Sequence, residues 1–364
     1  MFDKITPIDS KWKRYLFSYA SIGRKDIGFY SNFGHGDSGD DAFLYQAQDL
    51  LDTKILPMSK RCYTFNPHRL KAFLLGGASL FHWQAPYIPR RLLKKKKWPF
   101  PVILYSAGIN CDYGASFSQE SLDKIHSLCS LADYITVRDL LTKEFIANLG
   151  FPNAEILPDL ELMVRPKKTT PIKTKDHKTV GITLTPHSAF NEETFKKIED
   201  LFVDFTNWLT DNKYTVLFIP FDSLDSESTR EKKLLDSILK RIKSPINASS
   251  ANADLSPEEI LNLIQTRCDF MVSMRLHSAV FAVNANVPFF CLSYNMMHKG
   301  FLQEISLNEL ELPLSHVSST QKLQDKFQFI VKNSLQIKRQ MTSQKIRLCN
   351  EITKQNEIIK NLLK

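Results

Sequence analysis

The chain has 364 residues, 43% hydrophobic and 24% charged, a composition that excludes collagen-like, disordered and small disulfide-framework classes. No apolar run reaches the roughly 18 residues of a membrane-spanning helix, and residues 1–9 lack the apolar core of a secretory signal, so a cytoplasmic protein is expected. The 48 basic residues outnumber the 39 acidic ones, for a formal charge of +9, which favours anionic partners such as phosphorylated metabolites, lipid headgroups or nucleic acid.

At roughly 150 residues per domain the length predicts two domains. In the first half, runs rich in Ile, Val, Phe and Tyr predict strands over 26–32, 72–77, 102–108 and 134–139. Helical spacing of apolar residues predicts helices over 40–51, 118–130 and 140–150. Continuous apolar strands alternating with helices imply a parallel sheet covered on both faces.

A Lys/Thr/Pro-rich stretch, 165–173, disfavours packing through its two prolines and like charges, and reads as a linker. Beyond it strands are predicted over 179–185, 214–221, 270–274 and 288–294, with helices over 192–210, 226–241, 256–267 and 278–283. Ser256 as N-cap, Pro257 at the first helical position and Glu259 closing a capping box mark one helix start. The α/β organisation is therefore a domain over 1–165, a linker over 166–178, a second domain over 179–320 and a basic helical segment over 321–364, with a cleft between the domains. In that last segment Phe327, Ile330, Leu335, Ile346, Ile352, Ile358, Ile359, Leu362 and Leu363 recur at roughly helical intervals, which predicts a helix packed on the body with a basic outer face.

Several constellations carry chemistry. Gly34-His35-Gly36-Asp37-Ser38-Gly39-Asp40-Asp41 joins the first strand to the first helix. It lacks the Lys-Ser/Thr of a Walker loop and the spacing of a dinucleotide fingerprint, and its acids are read first as helix caps. Leu75-Gly76-Gly77-Ala78-Ser79 closes another strand, and Ser79 is not in a nucleophile elbow. The most informative segment is Met274-Arg275-Leu276-His277, an Arg and a His two apart where a buried strand gives way to a helix. Arg138 ends the strand at 134–139, and Tyr294-Asn295-Met296-Met297-His298-Lys299 forms the loop after the strand at 288–294.

Taken in order, Gly36-Asp37-Ser38-Gly39-Asp40-Asp41, Leu74-Leu75-Gly76-Gly77-Ala78-Ser79, Ser106-Ala107-Gly108-Ile109, Thr136-Val137-Arg138-Asp139, Leu157-Pro158-Asp159, Met274-Arg275-Leu276-His277 and Ser293-Tyr294-Asn295 with Lys299 resemble the polysaccharide pyruvyl transferase family over residues 26–305. The resemblance implies two Rossmann-like domains of the GT-B kind and transfer of the pyruvate unit of phosphoenolpyruvate to a sugar as a ketal. It implies no cofactor beyond that donor. It makes Arg138, Arg275 and Lys299 the anion-binding set and His277, with Arg275, the catalytic pair. Arginine matches both carboxylate and phosphate with paired hydrogen bonds, and imidazole titrates near working pH. Asp37, Gly39, Asp40, Gly76 and Gly77 are expected on the acceptor side or as turn residues. Asp37 stands where the family often has Asn, and Ala78 where a third glycine is usual. Both changes bear on the acceptor, a glycan or lipid-linked oligosaccharide, and a nucleotide-sugar glycosyltransferase on the same scaffold is the alternative.

The run Leu92-Leu93-Lys94-Lys95-Lys96-Lys97-Trp98 reads either as a solvated face or as a peripheral contact with an anionic inner-membrane surface, Trp98 being suited to the interface. No helix, finger or RNP pattern supports nucleic-acid binding. Cys62, Cys111, Cys129, Cys268, Cys291 and Cys349 form no C-x-x-C pair and are read as reduced thiols. No metal site is implied. The acids between Asp222 and Glu227 are read as caps for the helix that follows.

Overall fold

The computed structural model describes residues 26–33, 37–59, 70–77, 79–89, 92–94, 97–167, 177–186, 190–221 and 228–364. The cluster 222–227, most of the expected linker, Ala78, Lys95, Lys96 and Cys62 lie outside the described residues. The chain divides into two compact units, the first holding the described residues up to Leu160 together with Asn295–Gly300 and Leu348–Lys364, and the second holding Glu161–Tyr294 and Phe301–Arg347. Chain order alone groups Lys299 with residues 179–320. By its contacts the short segment that carries it sits with the first unit.

The first unit contains β1 (Asp26–Tyr30), α1 (Ser38–Leu51), β2 (Ile55–Met58), β3 (Leu70–Gly76), β4 (Phe81–His82), β5 (Val102–Ala107), β6 (Ile109–Asn110), α2 (Gln119–Leu131), β7 (Tyr134–Val137), α3 (Leu140–Asn148) and β8 (Glu155–Ile156). Six strands form a parallel sheet in the order β2-β1-β3-β5-β7-β8, and β4 pairs with β6 separately. Every residue of β5 is buried, as expected for a strand covered on both faces. Phe29, Phe33, Phe43 and Tyr105 meet edge to face, with Phe29 and Tyr105 ring centres 5.4 Å apart. The buried Tyr105 hydroxyl donates to Asn356 Oδ1, and Tyr134 donates to Gln355 Oε1 at 2.8 Å. The end of the C-terminal helix is thereby fixed to this unit's core.

The second unit contains β9 (Thr179–Thr183), α4 (Glu192–Asp211), β10 (Thr215–Phe218), α5 (Ser228–Arg241), β11 (Ala248–Ser250), α6 (Pro257–Arg267), β12 (Phe270–Ser273), α7 (Leu276–Ala285), β13 (Phe289–Ser293) and β14 (Glu311–Pro313). Its parallel sheet runs β11-β10-β9-β12-β13-β14, the order of the Rossmann fold. Ser256 and Glu259 form the expected capping box on α6. The expected loop after β13 is instead helix α8 (Met296–Glu304), and the basic tail is two helices, α9 (Thr320–Lys332) and α10 (Ser334–Leu362). Phe327, Ile330, Ile352 and Ile359 are buried as their spacing predicts, whereas Leu335 is 73% and Ile346 59% exposed.

Trp98 corrects an expectation. It is buried, donates from Nε1 to the Leu92 carbonyl at 3.1 Å and stacks on Phe100, so its ring belongs to the core of the first unit and not to a membrane interface. Cys111, Cys129, Cys268 and Cys291 are buried free thiols. Burial pushes Cys129 and Cys268 up to about 12, which makes them inert.

Gly76 is the tightest point of the first sheet. Its φ is +148°, and a Cβ there would come within 1.9 Å of the Tyr105 carbonyl oxygen. Gly76→Ala is therefore expected to lose about 3 kcal/mol or more in urea unfolding, against about 1 kcal/mol for removing the α6 cap with Ser256→Ala. Equal losses in the two variants would show that this turn tolerates a side chain.

Candidate functional site

In sheets of this kind, ligands bind beyond the carboxyl ends of the strands where strand order reverses. In the second unit the reversal lies between β9 and β12, and Arg275 and His277 follow β12 directly. Arg275 is the N-cap residue of α7, with extended φ −96° and ψ 141° and no side-chain cap hydrogen bond. Ser278 Oγ donates to the Arg275 carbonyl and lies 2.7 Å from Thr183 Oγ1 at the end of β9. These bonds tie the opening of α7 to the neighbouring strand. An arginine and a histidine thus stand at a helix N-terminus, a place that itself favours anions.

Each of these side chains meets a buried carboxylate. Arg275 Nε lies 3.5 Å from Glu231 Oε1, with side chains 10% and 1% exposed, and Glu231 Oε2 also accepts the Phe221 N–H. His277 Nε2 lies 3.6 Å from Glu161 Oε1, with side chains 16% and 1% exposed. Sequence reasoning missed both glutamates. Glu161 left one trace, an acid inside the apolar run Leu160-Glu161-Leu162-Met163-Val164. Glu231 left none, because the surrounding Arg230, Lys232 and Lys233 make the stretch read as a solvated helix face.

In the first unit Arg138 follows β7 and is buried. Its backbone N–H donates to the Ala107 carbonyl at 3.0 Å. Its guanidinium lies 3.8 Å from Asp139 Oδ2 and 3.6 Å from Asp159 Oδ1. A Cβ at Gly108 would lie 2.6 Å from that guanidinium, so this glycine makes room for it. Arg138, expected from the sequence to bind the donor's anionic groups, is thus buried beside two carboxylates. Asp139 also caps α3 by accepting the Thr142 N–H at 2.7 Å. Lys299 is exposed on α8, next to Gly300, where an added Cβ would lie 2.7 Å from the Asp139 carboxylate. The buried His298 on the same helix pairs through Nδ1 with Asn295 Oδ1 at 2.8 Å.

The first sheet reverses between β1 and β3, and both small-residue turns fall there. Asp37 caps α1, its Oδ1 accepting from Gly39 N at 2.7 Å and Asp40 N at 3.3 Å. Asp40 is buried and accepts from Asn32 Nδ2 at 3.3 Å. Gly76 and Gly77 both have positive φ and close the end of β3. At the end of β5, Ser106 adopts a left-handed φ of 53° in a bulge, its N–H donating to Thr136 Oγ1 at 2.9 Å. Among the described residues no three His, Cys, Asp or Glu side chains gather to hold a metal ion, and no helix is long and apolar enough to cross a membrane.

The family model for polysaccharide pyruvyl transferase matches residues 11–296. Among solved structures, S. aureus MnaA determined with UDP superposes at a TM-score of 0.59 and 11% identity, covering 87% of this chain and 90% of that one. Sucrose-phosphate synthase from Thermosynechococcus elongatus gives 0.57 at 10% identity over 90% and 95%. UDP-GlcNAc 2-epimerase from Neisseria meningitidis bound to UDP-GlcNAc gives 0.56 at 11% identity over 87% and 94%. At such identities the likeness is one of fold, two Rossmann-like units of the GT-B type.

Asp41, in the first turn of α1, gives this region a pH signature. Burial, with the Asp37 charge beside it, raises its carboxyl from 3.8 to about 7. The folded chain therefore holds a proton that the unfolded chain has lost, and stability declines as pH rises from about 4 through 7. Asp41→Asn should be more stable than the parent at pH 8 in urea unfolding, with the gap closing toward pH 4. A gap that does not change with pH would assign the variant's effect to packing alone.

Proposed function

This chain belongs to the polysaccharide pyruvyl transferase family, and on that premise we propose that it moves the pyruvate unit of phosphoenolpyruvate onto a sugar of a cell-surface glycan precursor as a ketal, releasing phosphate. The observation that carries the reading is the placement of Arg275 and His277 at the opening of α7, beyond β12, where the second sheet reverses its strand order. Phosphoenolpyruvate sets a carboxylate and a phosphate on one small carbon frame. A guanidinium binds either group through two parallel N–H donors, and the first turn of α7 adds backbone donors and a favourable dipole. His277 serves as the proton carrier. The enol methylene of the donor takes a proton, and one sugar hydroxyl bonds to the resulting cationic carbon and gives up its own proton. A second hydroxyl then displaces phosphate and closes the ketal.

The assignment is kept to Arg275 and His277, which share one unit. A lipid-linked acceptor at an anionic membrane surface is part of the same proposal. Exposed Leu335, Lys338, Arg339 and Ile346 on α10 support it, while the buried Trp98 contributes nothing to it. Solved structures of similar fold that carry UDP or UDP-GlcNAc favour the second reading, a nucleotide-sugar glycosyltransferase.

With a glycan acceptor present, phosphate should be released from phosphoenolpyruvate, and Arg275→Ala or His277→Ala should abolish the release while leaving cooperative unfolding intact. In thermal-shift measurements, phosphoenolpyruvate at about a hundred times its dissociation constant should stabilise the chain by about 2.7 kcal/mol. Stabilisation by UDP with none by phosphoenolpyruvate would replace this reading with the second.

A further inference from the structure

The first turn of an α-helix repels positive charge, yet His277 stands there. The charges facing it explain how the imidazole can hold a proton. From the turn Leu160–Met163, the buried Glu161 carboxylate reaches to 3.6 Å of Nε2. From its own helix the nearest titratable neighbour in sequence is Arg275, whose charge is countered by Glu231. A carboxylate this close favours the charged form of the imidazole, against the helix dipole.

The same turn is held by a second residue of α7. Asn284 lies seven positions after His277, two helical turns along the same face. Its Nδ2 donates to the Glu161 carbonyl at 2.8 Å and to the Val164 carbonyl at 3.0 Å. Its Oδ1 accepts from Lys345 Nζ at 2.6 Å, and Lys345 also donates to the Asn284 carbonyl at 2.8 Å. With an ammonium on Oδ1, the amide has one orientation, which aims both N–H donors at the turn. Glu161, Val164, His277, Asn284 and Lys345 all belong to the second unit.

We propose that Glu161 and Asn284 are positioning residues for His277: Asn284, oriented by Lys345, fixes the Glu161 turn against α7, and Glu161 keeps the imidazole protonated until it meets the donor. The inference deepens the role given to His277 above, but its test needs neither donor nor acceptor.

The full chain, isotopically labelled at histidine, is titrated by NMR, with His277→Gln identifying the His277 signal. In Glu161→Gln the titration midpoint of His277 should fall by about one pH unit or more, with the other histidines unmoved. Glu161→Asp should recover part of the shift, and Asn284→Ala and Lys345→Met should each lower the midpoint by a smaller amount. An unchanged midpoint in folded Glu161→Gln overturns the proposal. Should that variant fail to fold, the Asn284→Ala and Lys345→Met titrations decide, and no movement in both overturns it as well. Loss of pyruvyl transfer in every assay of the parent chain would count against the proposed function and leave the titration result standing.

Discussion

A guanidinium or imidazolium taken out of water needs a counter-charge, because desolvation of an unpaired ion exceeds what packing returns. That constraint is met in each unit. Arg138 lies between Asp139 and Asp159, Arg275 against Glu231, and His277 against Glu161. Asp139 adjoins Arg138 in the chain, whereas Asp159, Glu231 and Glu161 arrive from other elements, so most of the charge pattern is a property of the tertiary fold. Each cation is held in place before any ligand arrives, and the ligand need not supply the ordering of these side chains.

The two sheets explain why these residues stand where they do. In each unit the parallel strands are short, apolar and buried, and their carboxyl ends carry the exceptional residues: the positive-φ glycines after β3, the Ser106 bulge in β5, and the Arg275 and His277 pair after β12.

Much of this was legible in the chain itself, for a physical reason. Strands buried on both faces must be continuously apolar, so the inner strands β1, β3, β5, β7, β9, β10, β12 and β13 announce themselves. Six shorter strands fall outside those expectations: β4 and β6, which pair with each other, and Ile55–Met58, Glu155–Ile156, Ala248–Ser250 and Glu311–Pro313, the outermost strands of the two six-stranded sheets. They are two to four residues long and owe their conformation to a single neighbour. The stretch 294–299 reads as a loop, yet it opens the helix Met296–Glu304, whose buried Phe301 and Leu302 lie beyond that stretch. In the site, Arg275 and His277 stood out through their two-residue spacing. Glu161 and Glu231 did not, because their meaning lies in partners 116 and 44 positions away along the numbering of the chain. Asp37 was read as a cap and is one.

The strand orders carry one more consequence. Numbered within its own sheet, the first unit runs 2-1-3-4-5-6 and the second 3-2-1-4-5-6, so the halves cannot be superposed strand for strand despite their common rhythm. A gene built by doubling either half would put its third strand on the wrong side of the first. Ancestry by simple tandem copying is thus a poor guide to this molecule, and equivalences between the halves must be drawn from geometry instead of from sequence position.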